Sequence, residues 1–123
     1  MSKDQSILII EDEYPIATAL KLKLEAQGFE TQVASNGEEG LHFIDQNNFD
    51  LILLDLVMPN VDGFAVLEGL QKRKSNIPVI VSTNLSQDED MDRVKELGAT
   101  GYYVKSNTPI KRVVQVVEET LNA

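Results

Sequence analysis

The chain has 123 residues, a hydrophobic fraction of 42%, no cysteine and a formal net charge of −9. We expect one domain over residues 1–123, long enough to bury a core. The lack of cysteine excludes disulfides and thiol chemistry, and the acidic charge disfavours direct nucleic-acid binding, which needs cations placed on phosphates. Without a bilayer-length apolar segment or a secretory signal, we expect a cytoplasmic protein with no membrane association.

Short apolar runs alternate with segments of helical periodicity along the chain. The predicted strands are 7–10, 30–34, 51–54, 79–81 and 102–104. The predicted helices are one from Pro15 that stops near Gly28, then 37–46, 63–72 and 88–97, and a last one with Thr108 as cap and Pro109 at its first position. This alternation predicts an α/β fold with a parallel sheet covered on both faces.

Polar side chains follow four of the predicted strands, at the end where such sheets bind ligands. They are three carboxylates, two hydroxyls and an ammonium: Glu11, Asp12, Asp55, Ser82, Thr83 and Lys105. Crowded carboxylates repel each other unless a cation intervenes, and Mg2+ prefers oxygen ligands. Asp55 then suits a nucleophile towards phosphorus, with Lys105 and Thr83 available to the phosphoryl oxygens. Each residue alone is more often a turn or capping residue, so the prediction depends on their joint occurrence.

From Ile7 to Leu121 the sequence resembles the receiver domains of bacterial response regulators in two-component signalling. The matching segments are, in order, ILIIEDE, DLILLDLVMPNVDGF, PVIVSTN and GATGYYVK. The resemblance implies a flavodoxin-like, doubly wound (βα)5 fold with five parallel strands ordered 2-1-3-4-5. It also implies a phosphorylation switch that catalyses only its own phosphoryl transfer and autodephosphorylation, not a conventional enzyme.

The resemblance assigns the chemistry to particular residues. Asp55 becomes the phosphoacceptor. Asp12, Asp55 and the backbone carbonyl of Val57 become direct Mg2+ ligands, and Glu11 acts on the metal through water. Lys105 becomes the partner of the phosphoryl group.

The resemblance also implies a switch and its partners. Thr83 becomes the switch hydroxyl and Tyr102 the switch aromatic, and the output surface comprises the fourth helix, the fifth strand and the last helix. The phosphoryl donor would be a histidine kinase or a histidine phosphotransfer protein. The sequence leaves the output partner undetermined, and a phosphorylation-dependent dimer is compatible with it.

Two positions depart from the family pattern. Ser106 follows the lysine where family members usually have a proline after a cis peptide bond; we expect a trans bond, because a cis bond before a residue other than proline costs about 2.5–4 kcal/mol. Asn84 stands where a small residue is frequent, and we expect it to narrow access to the acyl phosphate or to bind a phosphoryl oxygen.

Three alternatives remain open. A pseudo-receiver would keep the fold and bind partners without phosphorylation. A phosphohydrolase of the haloacid dehalogenase type would need a second aspartate where Val57 stands. A flavodoxin-like FMN carrier would need a hydroxyl-rich phosphate loop, whereas Glu11, Asp12 and Glu13 follow the first strand.

Overall fold

A computed structural model describes residues 5–58, 61–84 and 88–122, without the side chains of 88 and 89. The strands are β1 (Ser6–Ile10), β2 (Glu30–Ala34), β3 (Leu51–Asp55), β4 (Val79–Thr83) and β5 (Gly101–Val104). The helices are α1 (Tyr14–Ala26), α2 (Gly37–Gln46), α3 (Gly63–Lys72), α4 (Asp88–Glu96) and α5 (Ile110–Leu121), with a short 3-10 helix, η1 (Lys105–Asn107). The strands are parallel and ordered β2-β1-β3-β4-β5, which confirms the predicted fold class.

The sheet is buried on both faces. Leu8 and Ile10 of β1 belong to the core layer that contains Val66 of α3, whereas Ile7 belongs to the opposite layer with Leu24 of α1. This double burial explains why β1 and β3 are continuously apolar instead of alternating in polarity. Each fully buried leucine or isoleucine contributes about 1.5–3 kcal/mol, so the central strands anchor the edge that carries the acidic residues.

Most element boundaries fall within two residues of the predicted ones. The predicted cap of the last helix was wrong: Pro109 is the N-cap of α5, and no side chain provides a capping hydrogen bond. The preceding helix η1 was not predicted. Ser82 and Thr83 are the last two residues of β4 and do not follow it, because their backbone still pairs with β5.

The backbone bears out the prediction for the Lys105–Ser106 bond. No cis peptide bond occurs among the described residues, so this bond is trans. The glycines at the ends of α1 and α4, Gly28 and Gly98, both have a φ of 96°, the left-handed conformation that ends helices. Within the described ranges, no helix has the length and apolar character needed to cross a membrane.

Candidate functional site: an acidic centre at the carboxyl edge of the sheet

Three carboxylates meet where β1 and β3 end. Glu11 follows β1, Asp55 is the last residue of β3, and the two strands are neighbours in the sheet. One carboxylate oxygen from each of Glu11, Asp12 and Asp55 lies within 4.8 Å of the others. Glu11 and Asp55 are each only 3% exposed, whereas Asp12 is exposed at the rim. The predicted convergence of the carboxylates is confirmed. We call these three residues the acidic edge.

Lys105 lies among the carboxylates. Its Nζ is 3.1 Å from Glu11 Oε1, 3.3 Å from Asp55 Oδ2 and 3.0 Å from Glu13 Oε2. The lysine side chain is 12% exposed, so its charge compensates two buried carboxylates in a poorly solvated setting. The sequence analysis assigned Glu13 no role at this site. Its position as the third consecutive acidic residue after β1 could have indicated that it also lies near Lys105.

Burial and charge shift the protonation of these groups. Burial raises the pKa of Glu11 to about 7, together with the charge of Asp55 and a hydrogen bond to it, while Lys105 and the Glu13 N–H act in the opposite direction. Burial also raises the pKa of Asp55, against its hydrogen bond with Glu11 and the charge of Lys105. The two buried carboxyl groups therefore bind a proton more readily than they would in water, because a proton reduces the cost of burying their negative charges together.

The same contacts hold Lys105 in its charged form. Burial is the largest single influence and lowers its pKa, but the hydrogen bond to Glu13 and the charges of Asp55 and Glu11 together raise the pKa above its ordinary value. The ammonium is therefore a permanent positive charge beside the carboxylate of Asp55.

A cavity of about 380 Å³ opens onto the acidic edge. Its lining residues are Asp12, Glu13, Asp55, Val57, Asn84 and Lys105. The Val57 N–H donates a hydrogen bond to Asp55 Oδ1 at 3.2 Å, so one carboxylate oxygen faces the backbone and the other faces Lys105.

The start of α3 is packed closely against the end of β3. The Gly63 N–H donates to the Leu56 carbonyl at 3.0 Å. A Cβ on Gly63 would lie 2.6 Å from the Asp55 carbonyl oxygen, so only glycine allows this approach. The side chain of Asp62 caps the helix by accepting from the Ala65 N–H at 3.0 Å. Pro59, which belongs to the matching segment DLILLDLVMPNVDGF, lies outside the described residues.

The predicted switch residues lie on the two neighbouring strands. Asp55 pairs with Ser82 in register, so Thr83 is one position further along β4; it is completely buried. Tyr102 is 41% exposed on β5, while the next residue, Tyr103, is partly buried and packs against the core layer that contains Ile7 and Leu24. Of the described residues that line the cavity, none is Thr83 or Tyr102. Their switch roles stay predictions.

The sequence matches the family described as response regulator receiver domain over residues 7–118. It is 37% identical over 108 residues to the alkaline phosphatase synthesis transcriptional regulatory protein PhoP of Bacillus subtilis, covering 86% of this chain and 44% of that protein. It is 40% identical over 112 residues to the transcriptional regulatory protein SrrA of Staphylococcus aureus, covering 89% and 45%. The chain thus spans less than half the length of these curated relatives.

Solved structures agree with this match. The receiver domain of Francisella response regulator 1452 superposes with a TM-score of 0.90 at 32% identity, covering 97% of this chain and 98% of that one. A CheY-like receiver domain protein from Methanospirillum hungatei has a TM-score of 0.90 at 27% identity, covering 98% and 95%. Near-complete coverage in both directions shows one shared architecture.

Proposed function

We infer the function of this chain from its family: it belongs to the response regulator receiver domains of two-component signalling systems, which are signalling modules and not classical enzymes. We propose that it accepts a phosphoryl group on Asp55 and changes conformation in response. The observation that carries this proposal is the buried Asp55 carboxylate, 3.3 Å from the Lys105 ammonium and beside two further carboxylates.

The donor set fits a hard divalent cation. Three carboxylates with oxygens within 4.8 Å of one another offer the ligand type that Mg2+ prefers, and the exposed Asp12 leaves room for the waters that this ion retains. We propose Asp12, Asp55 and the Val57 carbonyl as direct ligands, with Glu11 acting through water. When bound, the ion screens the charges of Asp55 and the phosphoryl group.

Asp55 is the proposed nucleophile. One of its carboxylate oxygens attacks the phosphorus of a phosphohistidine, the P–N bond breaks, and the imidazole leaves with the bonding electrons and takes up a proton from water. The product is an acyl phosphate on Asp55. Lys105 already lies at this carboxylate, so stabilising the phosphoryl oxygens needs little reorganisation. Glu13 is the most exposed of its three partners and therefore the contact most readily exchanged for a phosphoryl oxygen.

The proposed response runs through Thr83 and Tyr102. The acyl phosphate draws the Thr83 hydroxyl towards it, and Tyr102, which is 41% exposed in this structure, turns inwards. A hydrogen bond to a charged group is worth about 1.5–3 kcal/mol, and about 1.4 kcal/mol changes a two-state ratio tenfold. This one bond therefore suffices to shift the surface formed by α4, β5 and α5 without saturating the change.

The proposed partners follow from the family and the charge. The donor is a histidine kinase or a histidine phosphotransfer protein in the cytoplasm. Both curated relatives are named transcriptional regulatory proteins, and more than half of each lies outside the match. A transcriptional output would therefore reside outside residues 1–123, which we propose form one domain; with a net charge of −9 this domain is poorly suited to contact DNA. A phosphorylation-dependent dimer is a compatible way to transmit the signal.

Intact mass spectrometry tests the proposal. The protein is incubated with Mg2+ and a small acyl-phosphate donor beside the variant Asp55→Asn and the matched control Asp92→Asn, an exposed aspartate on α4. We expect one phosphoryl adduct that requires Mg2+, persists in the control and vanishes in Asp55→Asn. A protein that binds Mg2+ but takes no adduct from either the small donor or a histidine kinase would be a pseudo-receiver. Turnover of small phosphate esters would instead indicate a phosphohydrolase.

A further inference from the structure

The two departures from the family pattern contact each other. The Ser106 backbone N–H donates a hydrogen bond to the side-chain oxygen Oδ1 of Asn84 at 2.9 Å. Proline has no N–H, so a proline at position 106 would leave this bond unmade. A small side chain at position 84 would lack the acceptor. The hydrogen bond therefore requires both departures from the family pattern.

This bond continues the connection between β4 and β5 beyond the last paired residues of the sheet. Thr83 and Val104 form the final pair of the register, and Asn84 is the next residue along the chain. Ser106 lies in η1, and the first N–H groups of a helix have no partner inside it. The Asn84 side chain supplies the acceptor that one of these N–H groups needs. We call Asn84 and Ser106 the β4–β5 latch.

We propose that Asn84 is a positioning residue for Lys105 and acts through the Ser106 N–H. The proposal rests on the proposed function, because the position of Lys105 matters only if Asp55 accepts a phosphoryl group. Lys105 directly precedes Ser106, so the latch fixes the backbone from which the ammonium reaches Asp55 Oδ2 at 3.3 Å. Placement is a large part of catalysis: an error of about 1 Å can cost on the order of a hundredfold in rate.

The chemistry of the site explains why asparagine suits position 84. The side chain lines the same cavity as Asp12, Glu13 and Asp55. An aspartate there would also accept the Ser106 N–H, but it would add a negative charge opposite an incoming phosphoryl group. Asparagine provides the acceptor without the charge.

The latch also joins the end of β4 to η1, which carry the two residues proposed to contact the phosphoryl group. Asn84 follows the proposed switch hydroxyl Thr83, and Ser106 follows the proposed phosphoryl partner Lys105. A displacement at the end of β4 is therefore transmitted to the lysine through one hydrogen bond. Receivers with a small residue and a proline at these positions lack this connection.

Two measurements on the whole protein test the proposal. The first is hydrogen exchange of the Ser106 amide, which depends on the bond and needs no phosphorylation. The second is the rate of Asp55 phosphorylation by a small acyl phosphate with saturating Mg2+. The variants are Asn84→Ala and Ser106→Pro, which remove the bond from opposite ends, and their combination. Ser106→Ala is the matched control, because it changes the side chain and keeps the N–H.

We expect the amide hydrogen at position 106 to exchange faster in Asn84→Ala. It should stay protected in Ser106→Ala, which keeps the N–H donor, and in a second control, Asn84→Asp, which keeps an oxygen acceptor. We expect the phosphorylation rate to fall about threefold to tenfold in Asn84→Ala and Ser106→Pro, in keeping with the loss of one hydrogen bond. The double variant should lose no more than the worse single variant, because both remove the same interaction. Mg2+ affinity should stay unchanged. The melting temperature of Asn84→Ala should also stay unchanged, since the Asn84 side chain is exposed, whereas a purely structural role would lower it.

Two results would overturn the proposal. Unchanged Ser106 exchange in Asn84→Ala would show that the bond is not formed in solution. Faster exchange with an unchanged phosphorylation rate would show that the bond forms and does not position Lys105. In both cases the unaltered protein would still be phosphorylated on Asp55, so the proposed function would stand. If the unaltered protein accepts no phosphoryl group, the proposed function fails and the positioning role fails with it.

Discussion

The carboxyl ends of the strands form two contrasting regions. The acidic edge at β1 and β3 follows the family pattern, and two of its three carboxylates are buried around the ammonium of Lys105. The β4–β5 latch carries both departures from the pattern and is an exposed, neutral contact between Asn84 and Ser106. The two regions meet at Lys105, which supplies the positive charge beside Glu11 and Asp55 and directly precedes Ser106 of the latch.

Removing the ammonium of Lys105 should have the largest effect on stability and on phosphorylation. Lys105→Ala leaves Glu11 and Asp55 buried without the ammonium that both contact. We expect a loss of about 3 kcal/mol in the free energy of unfolding near pH 8, as for other broken buried pairs. We also expect phosphorylation to slow at least tenfold, roughly the value of one lost charged contact. Denaturant unfolding and the rate of adduct formation measure these effects.

The exposed lysine Lys72, at the end of α3, gives the matched control. Lys72→Ala should change both quantities little, because surface charges contribute at most about 1 kcal/mol. A Lys105→Ala variant that is phosphorylated at the normal rate would contradict the account of the acidic edge.

The pH dependence of stability distinguishes the buried carboxyl groups of the acidic edge from the carboxylates on the surface. The folded pKa of Glu11, about 7, lies above its ordinary value of 4.5, so the folded protein binds this proton more tightly than the unfolded chain. The resulting stabilisation is complete below about pH 4.5 and is lost as the pH rises through about 7. We expect the metal-free protein to lose about 2–3 kcal/mol between pH 5 and pH 8. Thermal unfolding in a chelating buffer measures this loss.

Two controls isolate the acidic edge in that experiment. Glu11→Gln should abolish most of the pH dependence, and Mg2+ should reduce it in the unaltered protein. The surface carboxylates of Glu25 and Asp45 have lowered pKa values, beside Lys21 and Arg73 respectively, so their contributions change only at lower pH. Stability of the metal-free protein that is constant or rises across this range would contradict the raised pKa of Glu11.

The sequence determined more of the acidic edge than of the latch. Continuous apolar runs identified β1 and β3, because a strand buried on both faces has no polar alternation, and residues that end neighbouring parallel strands must meet. That pattern by itself predicts that Glu11, Asp12 and Asp55 lie together at one edge of the sheet. Asn84 and Ser106 are unusual only by comparison with the receiver family, and the strand pattern by itself does not single them out.

The contact between these last two residues could not be predicted from the sequence. The Asn84–Ser106 bond depends on the course of a 3-10 helix, and no apolar periodicity encodes so short an element. The role of Glu13 was missed for a similar reason, since its contact depends on how far the Lys105 side chain extends. The wrong capping prediction at Thr108 likewise came from a loop whose path no periodicity determines.

Substitution of Thr83 tests how phosphorylation at the acidic edge is coupled to the surface formed by α4, β5 and α5. Thr83→Ala should still accept a phosphoryl group but lose most of the conformational change in α4, β5 and α5, because the hydrogen bond of about 1.5–3 kcal/mol that couples them is gone. Amide chemical shifts with and without phosphorylation measure the change. Ser82→Ala, which removes the neighbouring buried hydroxyl, should keep it. An undiminished change in Thr83→Ala would exclude this residue as the coupling element.

We expect the smallest effect on stability from substitution of Gly63, with the same substitution at Gly101 as its control. Gly63→Ala would place a Cβ 2.6 Å from both the Asp55 carbonyl oxygen and the Leu56 Cα, so the backbone beside the acceptor must shift. We expect a loss of about 1–3 kcal/mol in stability, typical of overpacking. A Cβ on Gly101, in β5, would meet no atom of the described residues within 4 Å, so Gly101→Ala is the matched control and should unfold at nearly the same denaturant concentration. Equal stabilities would show that α3 is not packed tightly against the acceptor.

Chemical identification of the phosphorylated residue tests whether Asp55 is the phosphoacceptor. Borohydride reduces an aspartyl phosphate to homoserine, which peptide sequencing by mass spectrometry locates. After incubation with Mg2+ and an acyl-phosphate donor, we expect homoserine at position 55 and no other reduced aspartate. Homoserine at position 12 or elsewhere, with position 55 unmodified, would contradict this expectation.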